Sequence, residues 1–381
     1  MESGTHSRSK NKKWWIAAAL LIVCLLLINP MLHAIFAVRL ALSLQALAAG
    51  NTDPITGVQE TKVQRRMGDR DLEALIYYPT TSPATSAIVL AAGLSEQGCH
   101  HPRLIALSKL LANKGLMVIT PDIREFREFD ISPKAIDQIR FWHKQVPSLE
   151  GGGKVKTIGL AGISFSGTIA ILAAAKPEIR DNVGFIVSIG PYSSLIRCTR
   201  GWFAAGPITV SGDHYPTRFY AKWIVMRSAL NMIKAERDRA FIDGALKDLL
   251  LQKKVPLAPA DLTPEAARWY ALAIMRENQS DPELSQDIER YLVEHVYPQL
   301  NPENAVKILR CPVFLIHGAY DDLIPPEESI ELHHRLFRSY LMISPFLTHT
   351  HPTDKQLSRG QKIRAAMDAL VFSYHLAQAI Q

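Results

Sequence analysis

From about residue 60 onward, short apolar runs alternate with segments of helical spacing. "DLEALIYYP" is rich in β-favouring residues and stops at a proline, which predicts a strand. "SAIVLAAG" is a short apolar run closed by glycine, the pattern of a buried strand. "RLIALSKLLANKG" places Leu104, Leu107, Leu110 and Leu111 on one helical face and ends at Gly115. "LMVITPD" predicts the next strand. "SPKAIDQIRFWHKQV" predicts a helix with Ser132 as N-cap and Pro133 in its first turn. "KVKTIGLAG" (strand), "GTIAILAAA" (helix) and "VGFIVSIG" (strand) continue the alternation. After a gap come "CPVFLIHG" (strand), "EESIELHHRLF" (helix), "YLMISPFL" (strand) and a closing helix through "AAMDALVFSYHLAQAI". Such an alternation predicts an α/β fold: a mostly parallel sheet with helices on both faces.

The stretch 196–306 breaks the pattern. It is helix-rich, and "PITVSG" is its one strand candidate. Phe219, Trp223, Met226 and Leu230 recur at helical spacing, as a packing stripe does. An insertion of this size between two sheet strands predicts a helical cap.

A different pattern fills the N-terminus. From Trp14 to Val38, 25 residues carry no Asp, Glu, Lys or Arg, and about 20 apolar residues span a bilayer core as helix. Trp14 and Trp15 would lie at the headgroups, and Pro30 would kink the helix near its end. Arg8, Lys10, Lys12 and Lys13 precede the run, and only Arg39 follows it before residue 60. This bias predicts a single-pass anchor with a cytoplasmic N-terminus and the remaining chain across the membrane, in the periplasm if the source is bacterial. A cleaved signal peptide is the competing reading, with "QALAAG" as cleavage site. The apolar run ends near Ile28, too far upstream for that layout. The organisation expected is a basic tail (1–13), a transmembrane helix (14–38), a juxtamembrane linker (39–60), a core in two parts (61–195 and 307–381) and the cap between them (196–306).

Composition adds exclusions. The chain has 381 residues, 48% hydrophobic and 21% charged, which is globular usage. Its net charge of +7 is scattered apart from "SRSKNKK", and no basic patch is interleaved with aromatics, so nucleic acid is not an expected partner. The four cysteines, Cys24, Cys99, Cys198 and Cys311, form no CxxC pair, and no HExxH occurs, so neither a metal nor another cofactor is expected. Cys311 opens an apolar strand as a buried thiol. Cys99 and Cys198 are disulfide candidates in an oxidising compartment.

The chemistry centres on "IGLAGISFSGTIAIL", which holds Ser164 and Ser166 between a strand and a helix. A serine on a sharp strand-to-helix turn needs small residues two before and two after it. Ser164 has Gly162 and Ser166 there. Ser166 has Ser164 and the β-branched Thr168, which suits the turn badly. Ser164 is therefore the better nucleophile, and Gly167 lets the helix approach the strand. Downstream, "CPVFLIHGAYDDLIPPEES" puts Asp321 after a strand, and "SPFLTHTHPTD" puts His349 and His351 after the next one. A serine nucleophile needs a base, and the base needs a carboxylate to set its tautomer. All three groups follow strands and so belong to one sheet edge, where open α/β sheets place their sites.

These residues resemble the α/β-hydrolase superfamily over roughly 70–195 and 306–381. Gly162-Ile163-Ser164-Phe165-Ser166 is similar to its nucleophile elbow. His317-Gly318, Asp321 and Pro325 are similar to its acid segment, which aligns the acid with Asp321 and not Asp322. The resemblance puts the base at His349 or His351, and His349 is favoured because it follows the strand more closely. It also implies two backbone N–H donors for an oxyanion, from Phe165 and from Leu94 in "LAAGLSEQGCHH", where Ala92 replaces the usual histidine. His100 and His101 read as loop residues, and nothing singles out Glu96 beyond its nearness. The resemblance implies a serine hydrolase of the esterase or lipase kind; with the expected N-terminal membrane anchor and apolar-rich cap, a small acyl or lipid-like substrate is expected. A peptidase or amidase, or a catalytically silent binding protein on the same fold, are the alternatives.

Overall fold

The computed structural model describes residues 55–204, 208–210, 213–215, 219–274, 281–349 and 356–380, together with Ile35, Val38 and Arg39. An eight-stranded sheet organises the chain. Its strands are β1 (Val58–Met67), β2 (Arg70–Pro79), β3 (Ser86–Ala91), β4 (Leu116–Pro121), β5 (Thr157–Ile163), β6 (Val183–Ile189), β9 (Val313–Gly318) and β10 (Ser339–Ser344). Their spatial order is β1-β2-β4-β3-β5-β6-β9-β10. The β1–β2 and β2–β4 pairs are antiparallel, and every later pair is parallel.

The apolar runs are the central strands because helices cover both faces. All six residues of β3 and of β4 are buried. Alternate strand residues feed two apolar clusters. Ile76, Val89 and Ile119 face one side, whereas Tyr77, Ile88 and Val118 face the other. Helices α1 (Pro102–Asn113) and α12 (Arg359–Ile380) cover the second side. A short turn of helix, α2 (Arg124–Arg127), follows β4, and α3 (Lys134–Gln145) and α4 (Phe165–Ala174) cover the first side. Each of the ten residues of α4 is buried. A helix enclosed all round has no polar face, and from Ile169 to Ala174 its sequence is apolar throughout. Ser132 acts at the start of α3, where its Oγ accepts the Lys134 N–H at 3.3 Å.

Between β6 and β9 the chain forms α5 (Leu195–Phe203), a short hairpin of β7 (Ile208–Val210) and β8 (Asp213–Tyr215), then α6 (Phe219–Ser228), α7 (Glu236–Leu250), α8 (Pro264–Ile274), α9 (Pro282–His295) and α10 (Glu303–Ile308). Its described apolar residues join the cluster on the α4 face, and among the described residues they form no separate core. Met226 is fully buried, and Leu230 nearly so, as the helical stripe predicts. The last helix before β10 is α11 (Glu327–Arg335).

Two expectations need correction, and one open question is answered. β1 begins at Val58, inside the stretch read as linker (39–60), and pairs with β2 along its whole length. It is an edge strand of mostly polar residues, so it lacks the apolar run that marks the others. Cys99 and Cys198 are buried and unpaired, because they lie in the two apolar clusters on opposite sheet faces. Cys311 is half-buried where full burial was expected. The apolar run 14–38 falls outside the described residues except for Ile35 and Val38. Among the described residues no helix is long and apolar enough to cross a membrane.

Candidate active site

At the carboxyl end of β5 the backbone turns sharply into α4. Ser164 occupies φ 60°, ψ −130°, one of three non-glycine residues with positive φ among those described. Such a conformation costs about 1–3 kcal/mol and persists only where the surroundings enforce it. Here the Ser164 N–H donates to the Ile189 carbonyl of β6 at 2.6 Å, and the Gly167 N–H donates to the Ser164 carbonyl at 2.8 Å. Gly162 cannot be replaced freely, since a Cβ on it would stand 2.0 Å from the Ser166 carbonyl oxygen. A Cβ on Gly167 would stand 2.7 Å from Ser188 Oγ, so this glycine lets α4 lie close to β6.

Ser166 is wholly buried. Its Oγ accepts the Ile163 N–H at 2.8 Å, and it lies 2.9 Å from the Ile163 carbonyl and 3.1 Å from the Ala91 carbonyl of β3, to which its single proton is shared. A serine is thus accommodated two residues after Ser164, and its hydroxyl ties the turn to the neighbouring strand.

Ser164 Oγ lies 2.9 Å from His349 Nε2, and His349 Nδ1 lies 2.7 Å from Asp321 Oδ2. The carboxylate can only accept, so His349 carries its proton on Nδ1 and Nε2 accepts from the serine hydroxyl. Asp321 follows β9 and is buried. Its Oδ1 accepts the N–H groups of Leu323 (2.9 Å) and Ile324 (2.8 Å). Burial by itself pushes the Asp321 carboxyl up, but the charge of His349 and the hydrogen bonds from His317 and His349 hold it below the ordinary carboxylate range. It stays ionised beside the imidazole. The other sequence candidate for the base, His351, lies outside the described residues.

Two glycines fit the segments around this line. A Cβ on Gly318 would meet the Leu347 and Thr348 carbonyl oxygens at 2.6 Å, so the chain carrying His349 presses directly on the end of β9. Gly190, at φ 62°, closes the turn after β6, where a Cβ would sit 3.8 Å from Asp321 Oδ2 and 4.0 Å from His349 Cε1.

His317 is a supporting residue that the sequence marked only as half of a His-Gly pair. It is buried, with Nε2 2.8 Å from the Ile324 carbonyl and 3.3 Å from Asp321 Oδ2. The carbonyl fixes a proton on Nε2, and Nδ1 then accepts from Ser329 Oγ at 2.6 Å. Glu328, also buried, accepts from the Ser193 and Ser194 N–H groups and pairs with Arg197, joining the loop after β6 to α11. No local pattern announces Glu328, because its partners come from the distant segment after β6, and the role of His317 appears only once the chain after β9 folds back on it.

On the other side of Ser164 lies the loop after β3. A Cβ on Gly93 would be 3.4 Å from the Ile163 carbonyl and 3.8 Å from Ser164 Cβ, which sets Leu94 beside the turn. Phe165 opens α4, and its ring stacks on Tyr192 at 5.7 Å. The first N–H groups of a helix have no intrahelical partner and so are available to an anion. Glu96 and His100 are exposed. His101 caps α1, its Nδ1 accepting the Arg103 N–H at 3.2 Å. Among the described residues no group of three His, Cys, Asp or Glu side chains is arranged to hold a metal ion.

No protein-family model matches the sequence, and no curated protein matches it. Solved structures do. An acylaminoacyl peptidase of Pyrococcus horikoshii is 16% identical over 84% of this chain, with a TM-score of 0.46. This chain spans 41% of that peptidase's length. Est1E from Butyrivibrio proteoclasticus is 15% identical over 84% of this chain and 98% of its own, with a TM-score of 0.47. An esterase of Pyrococcus furiosus is 13% identical over 83% of this chain and 90% of its own, with a TM-score of 0.46. The strand order, the strained serine between β5 and α4, and a Ser-His-Asp line at the carboxyl edge of the sheet are features of this chain itself, and by them it adopts the α/β-hydrolase fold.

Proposed function

We propose that the protein is a serine hydrolase that cleaves acyl esters through an acyl-enzyme. The observation that carries this reading is the continuous line from Ser164 Oγ to His349 (2.9 Å) and from His349 to Asp321 (2.7 Å). In the proposed reaction His349 Nε2 takes the Ser164 proton as Oγ attacks the acyl carbonyl. Asp321 holds the imidazole in the acceptor tautomer and stabilises the cation that forms. The tetrahedral oxyanion is held by the Phe165 and Leu94 N–H groups. His349 then protonates the departing alcohol, and a water activated by the same histidine cleaves the acyl-enzyme. The helical insertion acts as a cap over an apolar acyl group, and the run Trp14–Val38 anchors the enzyme in the membrane with its catalytic part on the far side.

The test is labelling of the full chain, in detergent, with a fluorophosphonate probe. Wild type is expected to label, and Ser164→Ala and His349→Ala are expected to abolish labelling. Ser166→Ala is expected to keep it. A wild type that resists the probe supports a silent binding protein instead. A panel of p-nitrophenyl esters and aminoacyl amides follows, and preferred turnover of the amides supports a peptidase. A C-terminal topology reporter tests the membrane side.

A further inference from the structure

The Leu94–Ser95 peptide is pinned at both ends. On one side the Leu94 carbonyl accepts the Tyr220 hydroxyl at 2.8 Å. On the other the Ser95 N–H donates to the Phe126 carbonyl at 3.2 Å. A peptide unit is planar, so two bonds on opposite edges fix its orientation. The Leu94 N–H belongs to the preceding Gly93–Leu94 peptide, hinged to this plane at the Leu94 Cα; with this plane fixed on one side and Gly93 packed against the Ser164 turn on the other, little freedom remains for it. The two anchors differ in origin. Phe126 belongs to α2, the short helical turn after β4, and its ring meets that of Phe165 edge-on at 6.1 Å. Tyr220 belongs to α6, inside the insertion.

The Tyr220 anchor is itself held. Phe129 meets the Tyr220 ring edge-on at 5.9 Å, and Phe129 sits at φ 55°, a conformation a bulky residue rarely adopts. Arg227, two turns further along α6, donates to the Glu128 carbonyl. Burial pushes the Tyr220 phenol above its ordinary range, so it remains a donor at any working pH. Helix α6 is thereby docked on the segment 126–129, with one hydroxyl reaching across to Leu94.

We propose that Tyr220 is a positioning residue for the oxyanion site: its hydroxyl holds the Leu94 peptide so that the Leu94 N–H is preorganised toward the oxyanion, and the inserted helix thereby completes the site. The inference rests on the serine-hydrolase reading above. Preorganised donors act on the transition state and not on the ground state, so the effect falls on turnover. Removing an oxyanion donor outright costs about 100- to 1000-fold in kcat. Loosening one is expected to cost less, about tenfold.

The test is Tyr220→Phe, which removes one oxygen and keeps the ring. Active sites are titrated with the fluorophosphonate probe, so that kcat refers only to folded, labelled protein. The expected result with a p-nitrophenyl ester is kcat lowered about tenfold, KM within about twofold of wild type, and a trifluoromethyl ketone inhibitor weakened by the same factor as kcat/KM. Arg227→Gln weakens a second tie of α6 to the segment 126–129, at the Glu128 carbonyl, without touching Leu94, and is expected to keep wild-type kcat. Wild-type kcat in Tyr220→Phe overturns the proposal. So does an equal fall in Arg227→Gln, which would reflect loose docking of α6, and so does a rise in KM alone, which would reflect lost substrate contact. A wild type that neither labels nor turns over ester defeats the hydrolase reading itself, an outcome distinct from these.

Discussion

Replacing Gly318 with alanine would put a methyl carbon 2.6 Å from the carbonyl oxygens of both Leu347 and Thr348. Ordinary contact begins near 3.4 Å, so these carbonyls must retreat by about 0.8 Å. Both are backbone atoms directly before His349, and no flexible side chain can absorb the strain. If the imidazole follows them, Nε2 moves from 2.9 Å to about 3.7 Å from Ser164 Oγ, beyond hydrogen-bond reach. A displacement near 1 Å at a reacting centre costs about 100-fold. The expected outcome is kcat/KM for a p-nitrophenyl ester about 100-fold below wild type, with fluorophosphonate labelling slowed by a similar factor. Overpacking also costs about 1–3 kcal/mol of stability, read from the urea midpoint. Gly244→Ala is the matched control. It adds the same methyl group in α7, where nothing lies within 4 Å, and is expected to keep activity and gain about 1 kcal/mol. Activity within about threefold of wild type in Gly318→Ala would refute the claim that this glycine sets the position of His349.

Ser166→Ala leaves the Ile163 N–H without its partner, at a cost of about 1–2 kcal/mol in urea denaturation, while labelling at Ser164 is retained. Loss of labelling here but not in Ser164→Ala would reverse the assignment of the two serines. His143 is buried with Nε2 unpartnered, and burial pushes its imidazole down to about 4. The unfolded chain, with a histidine pKa of about 6.5, binds this proton more readily, so stability is complete above that value and falls as pH drops toward 4. Between pH 7 and pH 4.5 the loss is ~2–3 kcal/mol by urea denaturation, and His143→Leu is expected to lose that component. An equally steep slope in the variant would assign it to other groups. The buried Asp321 contributes with the depressed pKa of a carboxylate, so its share is lost only at lower pH, below about 4.

The central strands were legible because a strand buried on both faces must be largely apolar, as Ala87–Ala91 of β3, Leu116–Ile119 of β4 and Val313–Ile316 of β9 are. β1 was not, since an edge strand with one half-covered face needs only alternation, and its register comes from β2. The steric case for Ser164 was also local. It depends on the residues two before and two after the turn, and the geometry of Gly162 and Ser166 is set within a few residues. Asp321 and His349 could be named as residues following strands, but not as partners.

Partnership is a matter of sheet order. Ser164 and His349 stand 185 residues apart, and they meet because β6 pairs with β9 across the whole insertion. The same pairing sets Gly190 against Asp321 and His349, and strand order puts Cys99 and Cys198 on opposite faces. Glu328 and Tyr220 carry no signal of their own, and His317 only that of its His-Gly pair, because a lone buried polar residue looks alike whether it caps, braces or idles. Side-chain period and the sterics of a turn act over a handful of residues and are written into the chain. A hydrogen bond between distant segments exists only once strand neighbours and register are chosen, and those are chosen by packing the whole sheet.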